Sequence, residues 1–399
     1  MQSEQKGIIP LCEPFFGGRE REYVDECLKT GWVSSVGKYV ESFESLFAER
    51  HPGTGTVAVG SGTAAIHLAL LAVGVEPNDE VLVSSMTFIA PANAIRYVGA
   101  WPVFIDADAD SWQMDVGKVE EFLRDGCEQR SGGLFNKFTG RRVTAILPVH
   151  ILGHPVDMDA LDAVAARYGL KIIEDATESL GATVRGRPVG TIGHVGCFSF
   201  NGNKLMTTGG GGMVVSRDPG ICSKVRYLST QAKEPGNEYI HHSVGYNYRL
   251  TNVQAAIGCA QLEQLDGFLE KKRILAQRYS QALHGISGIQ LQQEAPWATS
   301  AHWLFTILVN GVDFGSTSRG LIEQMRLEGI TSRPLWEPMH LSHAHRYAPA
   351  ASCPVAEMLF ERGISLPSSI GLSEKDQMYV YNTIQKAVGS RQETHGKAL

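Results

Sequence analysis

Residues 196–212 read GCFSFNGNKLMTTGGGG, a β-rich run that leads into a loop of small residues carrying Lys204. Most lysines are solvated surface groups. Here apolar residues, serine and glycine surround the lysine and favour a desolvated amine, which is a usable nucleophile. The run lacks the GxxxxGKS or GxxxxGKT pattern of a nucleotide-binding P-loop. We therefore interpret Lys204 as a candidate catalytic nucleophile.

A second stretch, GSGTAA at residues 60–65, opens directly into a helix-like run. The free N–H groups and the positive dipole of a helix start favour a phosphate, and glycine lets that phosphate approach the backbone. A plain helix start capped by Ser61 or Thr63 explains the same pattern equally well. The GxGxxG fingerprint of dinucleotide-binding folds is absent.

A third stretch, IIEDA at residues 172–176, is an apolar strand that ends in Glu174 and Asp175. Strand side chains alternate, so only one of the two carboxylates can face a given ligand. Asp175 either caps the next helix or pairs with a buried cation such as a protonated pyridine nitrogen. Together the three stretches offer a phosphate cradle, an acid for a ring nitrogen and an amine for an aldehyde, the three groups by which pyridoxal phosphate is held.

The fold class follows from the alternation of short β-rich runs and helical runs after about residue 55, which predicts an α/β fold with a mostly parallel sheet. Predicted strands are 81–84, 102–105, 143–149, 171–175, 195–200 and 212–216, and predicted helices include 63–74, 90–99 and 158–168. The polar segment 125–142 reads as a surface loop. The alternation fades after Gln261, which predicts a large domain over 1–265 and a smaller one over 266–399.

Composition narrows the class of partner. The 399 residues carry a net charge of −6, so no global field attracts nucleic acid or an anionic membrane. Seven cysteines without CxxC pairs favour reduced thiols over a disulfide framework. The opening residues MQSEQKGIIP lack the pattern of a signal peptide, and no apolar run is long enough to span a bilayer. We expect a cytoplasmic protein that binds neither nucleic acid nor membrane.

The chain resembles the DegT/StrS family of sugar aminotransferases along nearly its whole length. The matching segments are GWVSSVGKYVESFE (31–44), GSGTAAIHLAL (60–70), TFIAPANAI (87–95), PVHILGHPVDMD (148–159), EDATESLGA (174–182), FSFNGNKLMTTGGGGM (198–213), VGYNYRLTNVQAAIG (244–258) and SRPLWEPMH (332–340). The resemblance implies the aspartate-aminotransferase type of fold, which is fold type I of pyridoxal-phosphate enzymes, with a small α+β C-terminal domain. It also implies a homodimer with shared active sites.

The resemblance also implies a role for each matching position of the cofactor site. Lys204 would hold pyridoxal phosphate as a Schiff base, and Asp175 would pair with its ring nitrogen. The phosphate would lie against Gly62, Thr63 and Ser199, and Phe88 would stack on the ring. Glu178 stands where many relatives have Gln or His near the cofactor hydroxyl, and Asn247 would reach the phosphate of the neighbouring subunit's cofactor.

The substrates implied are L-glutamate and a keto sugar carried by a nucleotide. Lys233, Arg249 and Arg333 are candidate partners of the diphosphate, although each could equally make a structural ion pair. Trp32, Ser34 and His340 lie in segments that resemble the family's substrate-facing ones. His340, His343 and His345 form a histidine cluster that lacks a partnering acid or cysteine at a metal-ligand spacing, so we predict no metal.

Two departures from the family pattern indicate a branch. Gly210 stands where many relatives have an acid, and Glu178 and the long 125–142 segment accompany it. These features resemble the bacillosamine and legionaminic acid branch, which aminates C4 of UDP-linked 4-keto-6-deoxy-N-acetylglucosamine for bacterial surface glycans. Amination at C3, a dTDP or GDP carrier, and a non-catalytic member of the fold remain alternatives. The sugar 3-dehydratases of the family have His in place of the lysine, so Lys204 argues against them.

Overall fold

Short apolar strands alternate with helices through the first two thirds of the chain, as the sequence predicts. The computed structural model describes residues 7–389, so residues 1–6 and 390–399 of the two predicted domains lie outside it. The helices are α1 (Glu20–Thr30), α2 (Lys38–Arg50), α3 (Gly62–Ala72), α4 (Ala90–Tyr97), α5 (Val116–Gly126), α6 (Met158–Tyr168), α7 (Pro219–Ser229), α8 (Asn252–Leu262), α9 (Leu265–Leu283), α10 (Gly311–Phe314), α11 (Ser318–Leu327), α12 (Pro354–Arg362) and α13 (Glu374–Gly389), with 3-10 turns at Ile151–Gly153 and His343–His345.

The strands form one large sheet and two smaller ones. They are β1 (Gly55–Val59), β2 (Glu80–Ser84), β3 (Trp101–Ile105), β4 (Cys127–Arg130), β5 (Gly133–Asn136), β6 (Arg142–Leu147), β7 (Lys171–Asp175), β8 (Thr183–Val184), β9 (Arg187–Pro188), β10 (Val195–Ser199), β11 (Gly212–Ser216), β12 (Ile289–Leu291), β13 (Ala298–Thr299), β14 (Thr306–Val309), β15 (Arg333–Pro334) and β16 (Gly363–Ser365).

The large sheet has the order β1-β11-β10-β7-β6-β2-β3. Strands β10, β7, β6, β2 and β3 run parallel to one another, whereas β11 is antiparallel to both β10 and β1. Successive residues of a strand enter different cores: Ile172 lies in one apolar cluster and Ile173 in the other. The sheet is therefore covered on both faces, which confirms the predicted α/β class with a mixed, mostly parallel sheet.

Segment 125–142 differs from the expected surface loop. It contains the β4–β5 hairpin, and β5 pairs antiparallel with β6. The hairpin folds because Glu80, which is fully buried at the start of β2, accepts hydrogen bonds from Asn136 (2.8 Å) and Thr139 (2.7 Å). These long-range contacts compensate for the weak apolar pattern of the segment, so the prediction of a loop was wrong.

The C-terminal part builds the antiparallel sheet β12-β14-β16-β15 around a third apolar core that includes Tyr279, Ile307 and Ile364. It does not stand apart from the rest of the chain. Strand β13 pairs with β8, and Trp303 packs in the core on one face of the large sheet. The chain thus crosses back over the large sheet after residue 266, and this return brings C-terminal residues to its edge.

Candidate active site

A cavity of about 340 Å³ lies at the carboxyl ends of β2, β6, β7 and β10. Ligand sites in open α/β sheets lie at this edge because the loops that follow parallel strands meet there. The lining residues are Ser61, Gly62, Thr63, Ile66, Thr87, Phe88, Ala90, Pro91, Val149, Asp175, Thr177, Glu178, Ser199, Asn201, Asn203, Lys204, Gly210, Gly211, Trp303 and Trp336. The three sequence stretches that suggested a cofactor therefore converge on one space.

The start of α3 forms one wall of this cavity. Ser61 caps the helix by accepting a hydrogen bond from the Ala64 N–H at 3.0 Å. Within the described residues, the N–H groups of Gly62 and Thr63 donate to no protein acceptor. A Cβ atom on Gly62 would lie 2.8 Å from Ser199 Cβ, so only glycine lets these elements approach so closely. The helix start is thus both capped and open to an anion, so the two interpretations of GSGTAA are compatible with each other.

Asp175 lies in the cavity wall and is 2% exposed. Its Oδ1 accepts a hydrogen bond from the Thr177 N–H at 3.0 Å. Burial raises the pKa of Asp175, while the bonds to Thr177 and the charge of Lys204 oppose that shift. A buried carboxyl of this kind is stabilised in its charged form by a cation.

Lys204 faces a second buried carboxyl across the cavity. Its Nζ lies 3.4 Å from Glu178 Oε1, and the other Glu178 oxygen accepts from the Leu152 N–H at 2.9 Å. Burial raises the pKa of Glu178, and the Lys204 charge opposes the shift. The Lys204 side chain is 14% exposed, which confirms the expectation that this lysine is withdrawn from solvent. An amine next to a buried carboxyl can pass a proton to or from a reacting atom.

The remaining predicted site residues lie away from the cavity within the described part of the chain. Trp32, Ser34, Asn247 and Arg333 are exposed. Lys233 donates to the Gly236 carbonyl at 2.7 Å, in the loop between α7 and α8. A single chain therefore assembles the cofactor-binding set except Asn247, and assembles none of the predicted substrate set.

Arg249 and His340 make structural contacts. Arg249 pairs with Glu44 at 3.1 Å and donates to the Ala58 carbonyl at 2.9 Å. Burial lowers the pKa of Arg249 and the Glu44 charge opposes this. His340 contacts Ser85 Oγ through Nδ1 (2.6 Å) and Glu357 through Nε2 (3.2 Å). The alternative of a structural ion pair, left open by the sequence, is the one that Arg249 adopts.

Sequence reasoning missed two aromatic walls of the cavity. Trp336 belongs to the segment SRPLWEPMH, which matched the family pattern, so its position could have been singled out. Trp303 carries no such pattern and reaches the cavity only through the return of the chain past residue 266.

Residues 7–389 contain neither a metal-binding cluster nor a membrane-spanning helix. No group of three or more His, Cys, Asp or Glu side chains is arranged to hold a metal ion in this range. No helix of the same range combines the length and apolar character needed to cross a bilayer. All seven cysteines are free thiols.

The residues of the cavity fit pyridoxal phosphate. The glycine cradle at Gly62 accommodates a phosphate, the buried Asp175 suits a protonated ring nitrogen, and the Lys204 amine suits an aldehyde. Phe88 lies at the same cavity and is 54% exposed, so its ring is free to cover a planar ligand.

Comparison with known proteins gives consistent results. The model of the DegT/DnrJ/EryC1/StrS aminotransferase family matches residues 16–385. GDP-perosamine synthase of Escherichia coli O157:H7 is 38% identical over 380 residues, which cover 95% of this chain and 98% of that protein. A DegT DnrJ EryC1 StrS aminotransferase from Brucella abortus has a crystal structure with a TM-score of 0.85 and 30% identity, over 93% of this chain and 95% of that one. DesV of S. venezuelae, solved in complex with a ketimine intermediate, gives a TM-score of 0.83 and 32% identity over 93% and 94% of the two chains.

Proposed function

This chain belongs to the DegT/DnrJ/EryC1/StrS aminotransferase family, and from that premise we propose that it transfers an amino group from L-glutamate to C4 of a nucleotide-linked 4-keto-6-deoxy sugar. The members of the family are sugar aminotransferases that use pyridoxal phosphate, so the cofactor, the enzyme class and fold type I are as expected from the sequence. The observation that carries the proposal is one cavity that the Lys204 amine, 3.4 Å from the buried Glu178, shares with the buried Asp175 and the open start of α3.

The residues of the cavity have different roles in the proposed reaction. When bound, pyridoxal phosphate supplies an aldehyde carbon that exchanges its oxygen for the amino group, and a ring that takes up the electrons of a broken C–H bond. We assign binding of its phosphate to Gly62, Thr63 and Ser199, and stacking on its ring to Phe88. Asp175 would hold the proton at the ring nitrogen. With the cofactor bound, Lys204 would hold its aldehyde and, when free, would move a proton at the substrate carbon, and Glu178, 3.4 Å away, would take up or return the lysine's proton.

The nucleotide is proposed from two opposing observations. The relative named GDP-perosamine synthase supports a GDP carrier. Gly210 and Glu178, which both line the cavity, were the basis for expecting a UDP-linked N-acetyl sugar. The hairpin that replaces the expected 125–142 loop contributes no residue to the cavity lining among the described residues, so it no longer supports that branch. We therefore propose the GDP-linked keto sugar as the first substrate and the UDP-linked one as the second.

We propose that the enzyme works as a homodimer in the cytoplasm. Asn247, which is expected to reach the cofactor phosphate of the neighbouring subunit, is exposed in the single chain, as that role requires. Free thiols suit a reducing compartment.

Absorbance of the cofactor-loaded protein tests the function. Glutamate should bleach the visible band with release of 2-oxoglutarate, and a keto sugar should restore it as its carbonyl oxygen is replaced by the amine. We expect GDP-4-keto-6-deoxymannose to restore the band faster than UDP-4-keto-6-deoxy-N-acetylglucosamine. Lys204→Arg, which keeps the charge but cannot anchor the aldehyde, is the matched control and should show no such band. Bleaching that neither sugar reverses would reject the substrate, and wild type without a band would reject the site.

A further inference from the structure

Trp303 covers the amine of Lys204 although the two residues lie in distant parts of the chain. Lys204 Nζ is 4.0 Å from the centre of the Trp303 ring. Trp303 is 3% exposed, lies between β13 and β14, and lines the same cavity. A cation within about 6 Å of an indole face is attracted to it, and the attraction grows when water is excluded. The ring therefore restricts the positions that the lysine side chain can take.

A second contact ties Trp303 to the backbone next to the lysine. The indole Nε1 donates a hydrogen bond to the Asn203 carbonyl at 2.7 Å. The Cys12 thiol donates to the same carbonyl at 3.3 Å, and the Lys204 N–H closes a turn onto the Asn201 carbonyl at 3.0 Å. The peptide that carries Lys204 is thus anchored from the N-terminal and the C-terminal parts of the chain.

Trp303 is itself held firmly. Lys272, a buried lysine of α9, donates to the Trp303 carbonyl at 2.8 Å and also to the Ser368 carbonyl. The loop packs against Gly153, where a Cβ atom would lie 2.6 Å from Trp303 N. A buried ammonium with two carbonyl acceptors does not move freely, because any other position would leave its charge buried without hydrogen-bond partners.

We propose that Trp303 is a positioning residue that holds the Lys204 amine in the cavity, opposite Glu178. The ring of Trp303 limits the rotamers of Lys204, and its N–H fixes the Asn203 carbonyl. The position of the amine is therefore set when the protein folds. Its consequence for amino transfer rests on the proposed function. The placement of the amine does not, and it can be measured in the cofactor-free protein.

The primary test is the rate at which a small neutral acylating reagent modifies Lys204 in cofactor-free protein, followed by peptide mass spectrometry. Trp303→Leu removes both the ring and the N–H, and should modify about three- to thirtyfold faster, the change in amine reactivity that corresponds to a cation–π contact of ordinary strength. Trp303→Phe keeps an aromatic face but loses the N–H and the fused five-membered ring, so its rate should stay within about threefold of wild type.

The matched control is Trp101→Leu. Trp101 also lies under cations, with Arg96 at 3.8 Å and Arg141 at 4.3 Å, but it is not among the lining residues of the cavity. Its loss should leave the Lys204 rate unchanged. If Trp303→Leu does not fold, as judged by circular dichroism, Trp303→Met supplies a ringless side chain of greater length and flexibility.

Turnover of the loaded enzyme is the second readout. The kcat of the ringless variants should fall about tenfold to a hundredfold with little change in KM, because a misplaced amine affects the chemical step more than binding. Trp303→Phe should fall between these variants and wild type. Folded ringless variants that modify Lys204 at the wild-type rate would overturn the proposal, as would a Phe variant as fast as the Leu variant. Failure of wild type to bleach with glutamate would instead reject the proposed function and leave the modification result standing.

Discussion

Glu174 and Asp175 are neighbours in β7, yet their carboxylates lie on opposite faces of the sheet. Asp175 faces the cavity. Glu174 is fully buried on the other side, where it accepts hydrogen bonds from the N–H groups of Gly190 (2.7 Å), Ile192 (2.7 Å) and Gly193 (2.6 Å). His150 Nδ1 accepts from the Val156 N–H, so the proton lies on Nε2, which donates to Glu174 at 3.2 Å. Burial alone would raise the pKa of Glu174, but these bonds and the histidine lower it.

This division predicts opposite outcomes for two adjacent amides. Asp175→Asn keeps the shape and removes the charge, so kcat should fall at least about a hundredfold while the cofactor-free protein unfolds at an unchanged or higher temperature. Glu174→Gln, the matched control, turns an amide towards backbone donors and should cost about 1–3 kcal/mol of unfolding free energy. Urea unfolding and steady-state kinetics measure both effects. Equal losses of activity and stability in the two variants would contradict the division.

Glu178 predicts a pH dependence of stability. Burial raises its pKa from the ordinary 4.5. A carboxyl with a raised folded-state pKa contributes stability that is fully present below its unfolded pKa and is lost as pH rises through the folded one. Glu178→Gln has no proton to lose there. The unfolding free energy of cofactor-free wild type should therefore decline relative to this variant as pH rises from 4.5.

Urea titrations at a series of pH values measure this difference. Asp175, whose pKa is raised in the same direction, is present in both proteins and does not produce it. Glu49→Gln, at an exposed position of α2, is the control and should give a curve parallel to wild type. A Glu178→Gln curve parallel to wild type would show that the buried carboxyl does not titrate in this way.

Of the two arginines proposed for the diphosphate, we expect Arg249 to support stability and Arg333 to support substrate binding. Arg249→Met breaks the ion pair with Glu44, although Glu44 still pairs with Arg226 at 2.7 Å. We therefore expect a loss of about 1–3 kcal/mol of unfolding free energy and little change in KM. Arg333→Ala removes an exposed charge, so stability should hold while KM for the nucleotide sugar rises about tenfold. Thermal melts and kinetics with glutamate saturating distinguish them. A KM effect confined to Arg249→Met would reverse the assignment.

The hairpin predicts a change in stability without a change in chemistry. Glu80→Ala leaves the Asn136 and Thr139 donors without their acceptor and leaves Arg141, 3.6 Å away, without its carboxylate. We expect a cost of about 2–4 kcal/mol in unfolding free energy. Activity below the melting range should stay within about twofold of wild type, because the hairpin lies outside the cavity. Glu128→Ala, at an exposed position of β4, should change neither quantity.

The sequence by itself determined six strands of the large sheet, β2, β3, β6, β7, β10 and β11, and the three stretches that line the cofactor cavity. Asp175 and Ser199 stand at the carboxyl ends of parallel strands, and Lys204 follows within a few residues. Their convergence needs only local sequence, because parallel neighbours in one sheet end at the same edge. Gly62 and Thr63 begin α3, and their groups are open because every helix start leaves N–H groups unpaired.

Only the tertiary structure decided what distant segments bring to that edge. Trp303 reaches Lys204 because α9, Gly153 and Asn203 fix its loop, and no periodicity around residue 303 encodes those contacts. Arg249 matches a family motif, yet Glu44, some two hundred residues earlier, makes it a structural partner. Hairpin β4–β5 forms because Glu80 satisfies its polar groups. In each case the deciding energy is a contact between residues far apart in the chain, and such a contact leaves no pattern in either segment alone.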